Sequence, residues 1–193
     1  MRRATYVFGY GSLVTVGGRR PSRDPDGQDP DRYVTDLLGM RRTWGVAMDN
    51  TCTIPGYKYY VDRATGERLE LSVAFLDLVE HSTIAVNGLC FRIEPDELSA
   101  LDERERNYAR IDVTDRVALP LGRVWTYLGS EAGRQRFDTG KKNGWAAIER
   151  GYRDAVEEGF RRLGTDEHAR YVASTEPAEL PVLDLKRIDL SAP

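Results

Sequence analysis

Redox and metal chemistry have few residues to draw on in this chain. Its 193 residues include two cysteines, Cys52 and Cys90, and two histidines, His81 and His168. No Cys-x-x-Cys pair occurs, so neither a disulfide framework nor a zinc-site spacing is supported. A continuous apolar run of the ~18 residues that mark a membrane span is missing, and the N-terminus lacks the apolar core of a secretory leader. Reduced thiols and a cytoplasmic location are the expectation. An excess of either charge is lacking too: 28 Lys and Arg stand against 31 Asp and Glu, a net charge of -3. That balance offers no field for nucleic acid or an anionic membrane, and neither is expected as a partner. The basic doublets Arg2-Arg3, Arg19-Arg20, Arg41-Arg42 and Arg161-Arg162 are diluted by acids and read as solvated surface.

What is present fits an ordinary core: 40% of residues are hydrophobic and 9% aromatic. The length suits one domain over residues 1–193. Thr5 to Phe8 reads as a buried strand. Residues 17–32, "GGRRPSRDPDGQDPDR", form a polar loop, either a functional lid or an insertion. Strand character follows around Leu37–Leu38 and Trp44–Met48, in "YKYYV" after a Pro-Gly turn, in "LSVAFLDLV", and in "IAVNGLCFRI" with an Asn87-Gly88 interruption. Cys90 lies inside that apolar run and reads as core. A helix starts at Pro95, and strands follow at "YARIDVT" and "GRVWTYLGS". In "NGWAAIERGYRDAVEEGFRRLG" the apolar residues from Trp145 to Leu163 recur at three- and four-residue steps, which predicts one long helix. "LPVLDLKRIDL" reads as a final strand or extended tail. Strands without regular β-α alternation point to an α+β fold, a small mixed barrel-like β-sheet with flanking helices.

Two stretches carry chemistry. In "YVFGYGSLV" a strand runs straight into a glycine turn. The third glycine of a dinucleotide fingerprint is absent, as are the Lys of a phosphate loop and the flanking glycines of a serine-hydrolase elbow. The remaining readings are a plain tight turn, or one whose backbone N–H groups make an oxyanion or anion site. Second, at ~100° per residue, Leu98, Leu101, Glu105 and Tyr108 of "EPDELSALDERERNY" share one stripe. Glu105 thus occupies a core-facing position. Either burial raises its pKa, as in a catalytic acid/base, or the helix ends before it and leaves it at a frayed, solvated end, or an arginine pairs with it.

Together the stretches resemble the γ-glutamyl cyclotransferase-like family, nearest in motif form to its AIG2-like branch and its glutathione-degrading ChaC branch. Tyr10, Gly11, Ser12 and Leu13 stand as its Tyr-Gly-Ser-Leu turn. Leu101, Asp102, Glu105 and Tyr108 stand as its Leu-Asp-x-x-Glu-x-x-Tyr pattern. The match is good over residues 5–13 and 87–113 and looser elsewhere. The ChaC branch's histidine-containing segment is replaced by "TCTIPGYKYY", so glutathione specificity is not carried over, and Arg106-Asn107 stands where a glycine often follows the acid. The resemblance implies a cofactor-free cyclotransferase acting on a small-molecule γ-glutamyl substrate. The substrate's α-amine attacks its own γ-carbonyl, 5-oxoproline forms and an amine or peptide leaves. Glu105 is implied as general acid/base, with Tyr10, Gly11, Ser12, Leu13 and Tyr108 binding substrate. A γ-glutamyl-protected biosynthetic intermediate as substrate, or a silent binding module, remain alternatives, and Tyr127 reads as core or as pocket lining.

Overall fold

Two long strands organise the molecule. β2 (Arg32–Asp49) and β4 (Ser72–Arg92) pair antiparallel, from Arg32 opposite Phe91 to Asp49 opposite Ser72. The computed structural model describes residues 4–15 and 31–191. The polar loop 17–32 therefore lies, apart from Asp31 and Arg32, outside the described residues, as do Arg2-Arg3 and Arg19-Arg20. Leu37–Leu38 and Trp44–Met48 prove to be parts of one strand. Its irregularities, between Leu38 and Met40 and between Trp44 and Val46, are register shifts, and Gly39 between the first pair takes φ 70°. Asn87-Gly88 likewise does not interrupt β4. A Cβ at Gly88 would lie 2.4 Å from the Gly9 carbonyl and 2.6 Å from the Phe8 ring, so glycine there admits close packing within a continuous strand.

The opposite edge of β4 is shared. β1 (Thr5–Gly9) pairs antiparallel with its C-terminal end, Gly9 opposite Leu89. β7 (Ala146–Glu149) pairs parallel with its N-terminal end, Ile148 opposite Ala74. Beyond β1 lie β6 (Arg123–Gly129) and β5 (Tyr108–Asp112), and beyond β7 lies β8 (Val182–Leu183). β3 (Lys58–Asp62) and β9 (Leu185–Asp189) form a separate ribbon. With α1 (Pro95–Arg104), α2 (Glu131–Asn143), α3 (Arg150–Leu163) and α4 (Thr165–Ala173), the mixed sheet curls into a half-barrel, the expected α+β class. Among the described residues no helix is long and apolar enough to cross a membrane.

The predicted long helix from Asn143 is corrected. Gly144, at φ 76°, ends α2; Ala146–Glu149 is buried as β7; and α3 starts only at Arg150, where the Glu149 carboxylate accepts from the Gly151 and Tyr152 amides. Trp145, which fitted the helical spacing, is an exposed residue before the strand. α2 escaped notice because its buried face is Gly133, Phe137 and Gly140, too few apolar side chains for a visible stripe.

One consequence of this topology matters for function. Among the described residues no strand pairs with this edge of β4 between Ala74 and Leu89, and the C-terminal ends of β1 and β7 both run into the gap. Buried backbone groups need partners, and in the gap tyrosines supply them. The Leu76 N–H donates to Tyr152 Oη (3.3 Å), and its carbonyl accepts from the Tyr108 hydroxyl (2.8 Å).

The chain leaving β1 is tightly seated. A Cβ at Gly9 would stand 2.6 Å from Leu13 Cβ and 3.0 Å from its backbone carbon, so the turn closes only over glycine. Gly9→Ala is expected to lower stability by about 1–3 kcal/mol through overpacking, read as a drop in the urea midpoint at unchanged slope. An unchanged midpoint would show that the turn can open without penalty.

Candidate active site

From Gly9 the chain passes through Tyr10 and Gly11 into a short 3-10 turn, Ser12–Thr15, with the Val14 N–H donating to the Gly11 carbonyl at 3.0 Å. Neither Gly9 nor Gly11 uses a left-handed backbone. They act by admitting neighbours: Leu13 at Gly9, and at Gly11 the Tyr152 hydroxyl, which a Cβ would meet at 3.1 Å. The first N–H groups of such a turn have no partner within it.

Three contacts hold the turn. The Tyr10 hydroxyl donates to the Tyr127 carbonyl at 2.7 Å. Gly159 of α3 lies against Val14 and Thr15, where a Cβ would come within 2.7 and 3.0 Å. Arg42 Nε donates to the Tyr10 carbonyl at 2.8 Å. Arg42 corrects the reading of its doublet as solvated surface, for its exposure is 0%. Its other nitrogens donate to the Asn87 and Tyr171 carbonyls and to the Ser174 and Thr175 hydroxyls, and its guanidinium lies 4.9 and 4.8 Å from the Phe160 and Tyr171 ring centres. Among the described residues no carboxylate touches it, and burial lowers its pKa to about 10.

Glu105 arrives from the other side. The helix ends at Arg104 and Tyr108 opens β5, so the stripe is not helical throughout as predicted. The Glu105 N–H still donates to the Leu101 carbonyl at 2.9 Å, which keeps it in helical register above buried Leu98 and Leu101. Its side chain is 15% exposed and lies 3.4 Å from Arg104 Nε, whose own side chain is 57% exposed. Burial raises the Glu105 pKa, against the smaller opposing effects of Arg104 and Lys58. After the acid, Asn107 needs no glycine backbone: among the described residues no non-glycine has positive φ. It is pinned instead, accepting from Arg136 at 2.9 Å and donating to the Tyr57 hydroxyl at 3.0 Å.

The two elements meet in the gap of the sheet. Tyr10, Gly11, Ser12, Leu13, Glu105 and Tyr108 all border one niche of about 20 Å³. Ser12, Glu105, Tyr108 and Tyr152 also border a cavity of about 470 Å³ that opens outward between α1 and the β3–β9 ribbon. Within the niche the Tyr10 and Tyr108 hydroxyls are committed to backbone carbonyls, and the Leu13 side chain packs in an apolar cluster with Val7 and Leu101. These three shape the wall, and the free chemistry falls to Glu105, Ser12 and the turn's backbone. Neither histidine borders niche or cavity, so Ser12 has no imidazole partner there. Among the described residues no group of three or more His, Cys, Asp or Glu is disposed to hold a metal ion.

Of the two readings of Tyr127, it borders the niche while being buried, and it donates to Asp102 at 2.8 Å. Two other bordering residues carry no such expectation: Tyr152 reads as a core position of the long helix, and Lys58 is the second. Lys58 gave one faint signal, a lone cation between aromatics in "YKYY". It borders the cavity, with Nζ 4.9 Å from the Phe75 ring centre, 5.6 Å from that of Tyr57 and 5.9 Å from that of Tyr60. Burial first, then the Arg187 charge, lowers its pKa to about 8.

No family model and no curated protein matches the chain. Solved structures do. A protein described as gamma-glutamyl cyclotransferase is 15% identical, with 90% of this chain and 89% of that one covered and a TM-score of 0.50. A human protein described as uncharacterized protein loc79017 is also 15% identical, with 92% and 91% covered and a TM-score of 0.52. At such identity the likeness is one of fold: the chain has the γ-glutamyl cyclotransferase-like fold.

Proposed function

We propose that the protein cyclises the γ-glutamyl group of a γ-glutamyl amide or peptide to 5-oxoproline and releases the amine. The observation that carries this reading is the meeting of Glu105 with the Tyr10–Leu13 turn around one niche. The α-amine of such a substrate is mostly protonated at neutral pH and cannot attack until a base takes its proton. Glu105, its carboxyl made more basic by burial, accepts that proton. The amine nitrogen then bonds to the γ-carbonyl carbon, whose oxygen becomes an oxyanion facing the backbone N–H groups of Gly11–Leu13. As the bond to the leaving nitrogen breaks, Glu105 returns the proton to it; the surplus proton left on the ring nitrogen after attack is shed to solvent as the lactam forms, so the enzyme ends unchanged. Five-ring closure needs one folded substrate conformer, and the tyrosine walls of the niche restrict the choice.

No step calls on a cofactor. We place the protein in the cytoplasm, where its unpaired Cys52 and Cys90 would stay reduced. The test is a panel of γ-glutamyl amino acids, γ-glutamyl amines and glutathione incubated with purified protein, with 5-oxoproline measured by mass spectrometry. Release from at least one class is expected. Silence across the panel, with the protein folded, would leave a binding module.

A further inference from the structure

The outer cavity holds a cation with no ion-pair partner among the described residues, although the Glu105 and Asp189 charges act on it from further off. Among the described residues, Lys58 Nζ makes no hydrogen bond and no ion pair; its neighbours are the faces of Phe75, Tyr57 and Tyr60. Of the other charges of the cavity wall, all but the Glu103 carboxylate have a partner among the described residues. Arg187 pairs with Asp189, Arg104 with Glu105, and the Glu149 carboxylate caps α3. The Arg106 guanidinium donates to the Glu103 carbonyl and lies over the Tyr57 ring. An ammonium on aromatic faces retains donors for an anion and stands in a partly desolvated place, where a charge-assisted bond is strong.

We infer that Lys58 and its aromatic bed form a carboxylate-binding subsite for the leaving group, which selects γ-glutamyl amino acids and peptides over γ-glutamyl amines. The inference rests on the cyclotransferase reading. A γ-glutamyl amino acid carries two carboxylates, one on the glutamyl head and one on the leaving part. Lys58 borders the outer cavity and not the niche at the turn. With the head held at the niche, the carboxylate that reaches Lys58 is that of the departing amino acid. The same contact would hold the leaving nitrogen on the Glu105 side of the cavity, because Glu105 borders both spaces.

The test compares γ-glutamyl-L-alanine with γ-glutamyl-ethylamide, which differ by the leaving-group carboxylate alone. Binding is measured calorimetrically on the Glu105→Gln protein, so that neither ligand is consumed. A preference of about tenfold or more for the alanine compound is expected, the worth of one charge-assisted hydrogen bond. Adding Lys58→Met should collapse that preference to below about threefold, and Lys58→Arg should retain it. Equal affinity of the two ligands in the Lys58-bearing protein overturns the inference without recourse to any Lys58 variant. Equal weakening of both ligands by Lys58→Met also overturns it, by assigning Lys58 to the head's carboxylate. The two readings fail separately. If the unmutated protein makes 5-oxoproline but shows no preference, the subsite falls and the reaction stands. If it makes none while the Lys58-dependent preference persists, the reaction falls and the subsite stands.

Discussion

Glu105→Gln is expected to lower the rate of 5-oxoproline release by ~10²–10⁴-fold, the usual worth of a positioned general acid/base, while leaving the fold and its stability intact. The second half follows from the sign of the pKa shift. Burial raises the carboxyl's pKa in the folded protein. Between the unfolded and folded pKa values the folded state therefore binds more protons, so stability falls as pH rises through that window. At neutral pH the ionised carboxylate is a burden on the fold, and a neutral amide of the same shape removes it. The variant should melt no lower than the parent at pH 7. A large activity loss with a lowered melting temperature would mean that Glu105 is structural, and full activity would remove it from the mechanism.

The same shift fixes the pH profile of the unmutated protein. Activity needs ionised Glu105 and should fall as pH drops through a pKa above the ordinary carboxylate value of 4.5. Arg104 is the larger of the two cations opposing that shift, Lys58 the smaller. Arg104→Ala should therefore move the acid limb of kcat/KM upward. A limb at or below the ordinary value, or one that moves down in the variant, would assign the profile to another group.

These expectations could be formed early because both elements are local. Glu105 was legible because one i→i−4 bond to Leu101 extends helical register a residue past the helix, so the periodicity remained valid where the secondary structure did not. The turn was legible because Gly9 and Gly11 permit approaches that any Cβ would obstruct. What the sequence hid depends on distant pairing. The gap exists because β1 and β7, far apart in the chain, share one edge of β4 without meeting. Tyr152 and Lys58 acquire meaning only from that gap, and no periodicity within their own segments encodes it. β7 was lost inside a helix because four apolar-rich residues satisfy a 3.6-residue spacing as readily as a strand alternation. Arg42 was misplaced for a related reason: a doublet beside a turn carries no mark of which arginine faces inward, and only pleat and register decide that.

Arg42→Met carries the largest expected effect on stability. Two opposing contributions decide its sign. Removing the guanidinium relieves the desolvation of a charge with no anionic partner among the described residues, whose depressed pKa of about 10 corresponds to roughly 3 kcal/mol at ~1.4 kcal/mol per unit. Against this, the Tyr10 and Asn87 carbonyls lose their 2.8 and 2.6 Å donors inside a dry core, and weaker bonds to Tyr171, Ser174 and Thr175 go with them. Each stranded buried acceptor costs about 1–3 kcal/mol, and loss of the contact with the Phe160 and Tyr171 faces adds about 1–2 kcal/mol. The losses outweigh the relief, for a net destabilisation of about 2–4 kcal/mol in urea titration. The functional consequence runs through the turn. With the Tyr10 carbonyl released, the N–H groups that follow it lose their fixed direction, and the oxyanion loses donors that must be in place before it forms. kcat should therefore fall by more than KM rises, at a temperature where the variant is still folded. Arg42→Lys keeps a charge but cannot reach the Tyr10, Asn87 and α4 acceptors together, so it should recover little of kcat. A variant that loses stability yet keeps kcat would separate the core from the catalytic turn and leave Arg42 with a packing role alone.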